Sequence, residues 1–97
     1  MRVRYHPEAE AELDEALAWY FQAHPSLSAA LLEDVAVGER AIAERPKAWR
    51  PLERGVRVYW LRRFPYGMIY HVSDSTIVVY ALAHMRRRPG YWVKRVS

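Results

Sequence analysis

Polar and apolar residues alternate in Arg2-Val3-Arg4-Tyr5, the two-residue period of a short strand with Val3 and Tyr5 facing inward. From Pro7 the period lengthens: Ala9, Leu13, Ala16, Leu17 and Tyr20 recur at helical spacing and predict one buried stripe. Pro7 suits the first helical position, and Glu8, Glu10 and Glu12 put negative charge at the helix's positive end, on what reads as a solvated face. His24-Pro25-Ser26 breaks the pattern, and a second helix is expected from about Ser28 to Glu44, with Leu31, Leu32, Val35 and Ile42 as its core stripe. So short a turn predicts an antiparallel helical hairpin covering one face of a sheet.

Lys47 to Gly55 reads as a loop. Val56 to Arg63 alternates as a strand, Phe64-Pro65 interrupts, Tyr66 to Ser73 is a second strand, and Asp74-Ser75 turns the chain into Thr76 to Ala83. That last run is apolar on both sides of its alternation, which marks an interior strand covered on both faces. The expected fold is α+β: a short N-terminal strand, the helical hairpin, then a three-stranded antiparallel meander with the helices on one face.

With Asp74 and Ser75 as the turn, Tyr66, Met68, Tyr70 and Val72 lie across from Ala83, Ala81, Val79 and Ile77 and share a face with Tyr59 and Leu61. This apolar set belongs under the helices. The other face collects Val58, Trp60, Arg62, Gly67, Ile69, His71, Val78, Tyr80, Leu82 and His84. Such a mixture suits either a groove where something binds or a surface covered by the chain's own C-terminus; a slip of one residue would exchange the two sets.

The 97 residues allow one domain, 1–97, and 52% hydrophobic residues with 27% charged ones make a globular composition. No apolar run is as long as a membrane span, and without cysteine there is no disulfide framework, so a cytoplasmic protein is expected. The net charge of +4 hides a split: Met1 to Glu44 carries nine acidic residues against three basic, and Arg45 to Ser97 two acidic against twelve basic. So basic a half predicts an acidic or nucleic-acid partner.

The glycines are scattered, the histidines lack ligand spacing and no serine sits in a nucleophile elbow, so neither metal nor cofactor is expected. The chemistry concentrates in His84 to Arg95, twelve residues holding five cations, His84, Tyr91 and Trp92. His84 can exchange protons, Arg86-Arg87-Arg88 can hold phosphate or carboxylate bidentately, and Tyr91 can donate a hydrogen bond or stack on a base. Those parts suffice for metal-free cleavage of RNA and equally for binding without chemistry.

The order of elements, Phe64-Pro65-Tyr66, the Tyr5-His6-Pro7-Glu8-Ala9 start of the first helix and the ending His84-x-x-Arg87-Arg88-Pro89-x-Tyr91-Trp92 together resemble the RelE/ParE toxin superfamily. The resemblance implies a toxin of a bacterial type II toxin–antitoxin (plasmid-stabilisation) system. Its partner would be an acidic antitoxin that wraps it into a hetero-oligomer and alone carries it to operator DNA. RelE-like members cut mRNA on the ribosome with lysines on the second strand, an arginine early in the third, and an arginine and a tyrosine near the C-terminus. Aligned through Tyr66 and Tyr70, the lysine positions fall on Val58 and Trp60 and the third-strand arginine on Gly67. Only Arg86 or Arg87 and Tyr91 match, and Arg62 is the nearest substitute cation on that face; with the proton-exchanging His84, the nuclease candidates are His84, Arg87, Tyr91 and Arg62. ParE-like members lack that set and poison DNA gyrase by binding it, and by elimination the chain stands closer to them. The expected target- or antitoxin-binding residues are Trp60, Arg62, Ile69, His71, Tyr80, Leu82, His84, Arg86, Arg87, Arg88, Tyr91, Trp92 and Arg95. A RelE-like mRNA endonuclease and a non-toxic antitoxin-binding module acting in operon autoregulation are the alternatives.

Overall fold

One residue ends the first helix and starts the second. In a computed structural model, which describes residues 1–96, helix α1 (Pro7–Ala23) and helix α2 (Pro25–Glu44) meet at His24. His24 donates its backbone N–H to the Tyr20 carbonyl, and its Nδ1 accepts the Ser26 N–H at 3.1 Å, so the two caps are one side chain and its own backbone. His6 repeats the device at the start of α1, its Nδ1 accepting the Glu8 N–H. With Pro25 as its first residue α2 begins three residues before the expected Ser28.

Ala9 and Ala16 of α1 and Leu31, Val35 and Ile42 of α2 are buried against the sheet, with Leu13, Leu17 and Tyr20 partly buried beside them. Leu32, expected in the core, is 53% exposed. Gly38 lets α2 lie directly on the sheet: a Cβ there would stand 2.8 Å from Met68 Sδ and 2.9 Å from Tyr59 Cε1. Asp34, one turn after Leu31, is the core's buried carboxylate among the described residues. It accepts the backbone N–H groups of Arg63 and Phe64 at 2.9 and 3.1 Å, which pins the loop between two strands under the helix.

The strands are β1 (Arg2–Tyr5), β2 (Arg50–Pro51), β3 (Arg57–Trp60), β4 (Tyr66–Ser73) and β5 (Thr76–His84). They form one mixed sheet in the order β1-β5-β4-β3-β2. The expected meander is present as β3-β4-β5, but the sheet has five strands: β1 adds in parallel to β5, and the two residues of β2 pair with β3 inside the expected loop. β5 is thereby interior, and Ile77, Val78 and Val79 are buried in succession, as its continuous apolar run requires.

Around the Asp74-Ser75 turn the register is the expected one, with Val72 opposite Ile77 and Tyr70 opposite Val79. Ile69 then faces Ala81, so Tyr80 is an extra residue in β5, a bulge. Beyond it the faces of β5 exchange. Leu82, expected on the mixed face, packs in the helix-side core with Met68, Tyr70 and Val79, whereas Ala81 and Ala83 pass to the opposite face. His84 lies opposite Tyr66, their rings edge-on with centroids 5.1 Å apart.

Candidate interaction site

Strand β1 ends at Tyr5, opposite Val79, and from the bulge onward that edge of β5 has no strand beside it. Two side chains take the vacant place. The Leu82 N–H donates to Glu12 Oε1 at 3.0 Å, and Arg95 Nη1 donates to the Tyr80 carbonyl at 3.0 Å. Glu12 and Arg95 are paired to each other twice, at 2.9 and 3.0 Å, and the Tyr91 hydroxyl donates a hydrogen bond to Glu12 Oε2 at 2.8 Å. The Tyr91 ring meets Arg87, whose Cζ is 3.9 Å from its centroid, and Arg95, at 5.0 Å. Burial first, and then the carboxylate that accepts its proton, push the Tyr91 phenol well above the ordinary tyrosine range. Burial is the largest single influence on Arg95 and opposes its charge, but the hydrogen bonds to Glu12 together with the charges of Glu12, Tyr91 and Glu8 outweigh it and raise its basicity.

Behind this clamp the C-terminal segment folds over the second face of the sheet. Trp92 is buried among Val56, Val58, Ile69, Ala81 and Ala83, with Tyr80, Tyr91, Val93 and Val96 at the margin. Tyr80 is therefore covered by the chain's own end, whereas Trp60 remains 49% exposed. Its ring lies over Gly67, its cross-strand partner, where a Cβ would stand 3.1 Å from the indole and 2.8 Å from Val58 Cγ2. A side chain at position 67 would collide with Val58 and press on the Trp60 ring.

Two grooves flank the turn after β5. One, of about 520 Å³, runs along α1 between Trp19, Tyr20, Tyr66 and the His84–Tyr91 segment. The other, of about 450 Å³, has Trp60, Ile69 and Ala83 at its floor and Arg50, Arg87, Arg88 and Met85 around it. His84, Arg87 and Tyr91 line both. His84 Nδ1 accepts the Arg86 N–H at 3.1 Å, the same local cap that His6 and His24 make, so this ring shapes the basic turn.

The candidate residues divide accordingly. His84, Arg87, Arg88, Trp60 and Tyr91 gather at the grooves, and Arg62 and Arg86 are exposed nearby in sequence to them but line neither. Ile69 and Trp92 line the second groove and Leu82 the first, but all three are buried; Arg95 is held by Glu12, and His71 lines a separate hollow with Lys47 and Arg57. Glu12 is the residue missed by the sequence reading. It is not on a solvated face: it stands three residues after Ala9 and four before Ala16, on the buried stripe, and a carboxylate in such a stripe signals a partner.

The family description of the ParE toxin of type II toxin–antitoxin systems, parDE, matches residues 3–89. The chain belongs to the ParE toxin family. It is 32% identical to Toxin ParE2 of Mycobacterium tuberculosis, in strains CDC 1551 / Oshkosh and ATCC 25618 / H37Rv, over 90 residues covering 92% of this chain and 86% of the relative. Its fold is similar to a chain of the chromosomal ParDE TA system from P. aeruginosa. There the TM-score is 0.74 at 23% identity, over 87% of this chain and 95% of the other. As a ParE-type toxin of a toxin–antitoxin system, the chain presents its basic turn and both grooves at one end of the sheet. Among the described residues no helix is long and apolar enough to cross a membrane.

Proposed function

We propose that this ParE-type toxin arrests growth by binding DNA gyrase rather than by cutting RNA, and that an acidic antitoxin segment neutralises it by covering the basic turn and its grooves. The observation that carries the reading is the Trp60–Gly67 pair. At the positions where a RelE-like nuclease would place cations, this chain has Val58 in a dry cluster and an indole seated on a glycine. An exposed tryptophan rimmed by arginines is the composition of an interface anchor. Tyr91 supports the same view, since its proton is committed to Glu12 and its ring to two guanidinium groups.

Induction of the toxin without its antitoxin tests this in cells. The expected result is growth arrest with a DNA-damage response while translation continues at first. An immediate stop of translation with cleaved mRNA would establish the nuclease reading instead, and unimpaired growth would leave only an antitoxin-binding module.

A further inference from the structure

Towards the Asp74 end of β4, where the 45–57 loop passes the sheet, lies a hollow of about 200 Å³ lined by Lys47, Arg57 and His71, with Pro46, Gly55 and Tyr70. Among the described residues no carboxylate lines it. Arg57 Nη1 donates to the Trp49 carbonyl at 2.7 Å, which fixes the guanidinium and leaves its other donors free to serve a ligand. Gly55 lies against the imidazole, and its φ of +73° favours glycine, whereas a Cβ there would make only ordinary contact, 3.7 Å from His71 Cδ2. The surrounding loop adds Arg45 and Arg54, while its Arg50 and its single acid, Glu53, line the Trp60 groove instead. Among the described residues the ion pairs involve Arg95 alone, so this cluster has no internal counter-charge.

A concave group of an arginine, a lysine and a histidine, three different donors without an acid, is suited to a tetrahedral oxyanion. The guanidinium offers a fork, the ammonium a point charge and the imidazole one N–H. We propose that this hollow binds a phosphate group, carried by a free phosphomonoester or by a nucleic-acid backbone. The site is separate from the basic turn and does not depend on the gyrase reading.

The test is a titration of the isotopically labelled full chain with inorganic phosphate, followed by NMR at ionic strength held constant with chloride. Saturable shifts are expected at the His71 ring and the Gly55 amide. Lys47 is exposed, so its variants keep the fold. Lys47→Ala should weaken binding roughly tenfold and Lys47→Arg should restore it, as one charge-assisted hydrogen bond implies. A short DNA duplex is the second arm. The same two residues shifting at lower concentration assigns the site to backbone phosphate; a response to inorganic phosphate alone assigns it to a free phosphomonoester. Shifts that never saturate, or that Lys47→Ala leaves unchanged, overturn the proposal.

Discussion

Tyr91 shows how far a single residue's surroundings decide its chemistry. By type and place it is a plausible proton donor, yet its hydroxyl hydrogen bonds Glu12 and its ring lies between two arginines. Tyr5, Tyr66 and Tyr70 also have raised pKa values, Tyr66 up to about 12 through burial first and neighbouring Tyr20 second. A group whose folded pKa lies above its unfolded value adds stability that is present below the unfolded pKa and is lost as pH rises through the folded one. The fold should therefore keep these contributions up to about pH 10, the ordinary tyrosine value, and weaken above it. In a spectrophotometric titration of the seven tyrosines, these four should ionise late and together with unfolding. Ionisation of all seven near the ordinary value in a still-folded chain would contradict the burial assigned to them.

At the scale of elements, the edge of β5 decides where the C-terminal segment goes. Glu12 supplies the acceptor and Arg95 the donor that a neighbouring strand would otherwise provide, and the pair is nearly dry, with 17% and 9% of the two side chains exposed. Glu12→Gln keeps the shape and removes the charge. It should cost about 2–3 kcal/mol, since one partner of a largely buried pair is left uncompensated. For a domain of this size that lowers Tm by roughly 10–15 °C, and amide exchange at residues 91–96 should accelerate more than in α2. An unchanged Tm would mean that apolar packing of Trp92 alone holds the segment.

The helices, the meander and the interior place of β5 were legible in the chain because their hydrophobic periods are long and uninterrupted. The bulge at Tyr80 was not, since an extra residue inside Thr76–Ala83 leaves the apolar run intact while reversing which side chains face the helices. That reversal is why Leu82 reads as surface and is core. The pairing of β1 with β5 joins segments more than seventy residues apart, and β2 is two residues long; neither leaves a local pattern. Glu12 and Asp34 were hidden for another reason, as their partners are backbone groups and distant side chains that no spacing rule connects to them.

Over the whole molecule, the acidic first half forms the helical hairpin and the basic second half most of the sheet and the basic turn. Among the described residues the two halves neutralise each other only through Arg95 with Glu8 and Glu12, so the basic charge is left for partners. Antitoxin affinity should fall roughly tenfold or more between low and high salt, with most of the loss in the association rate. Salt-independent binding would assign the interface to Trp60 and its apolar neighbours. Gyrase binding is the step from which the proposed toxicity follows, and it is measured by a supercoiling assay with purified gyrase, relaxed plasmid and the full chain freed from antitoxin. The expected result is dose-dependent loss of supercoiling that Trp60→Ala weakens and that antitoxin reverses. Undiminished supercoiling at toxin concentrations that degrade mRNA in a translating extract would contradict it.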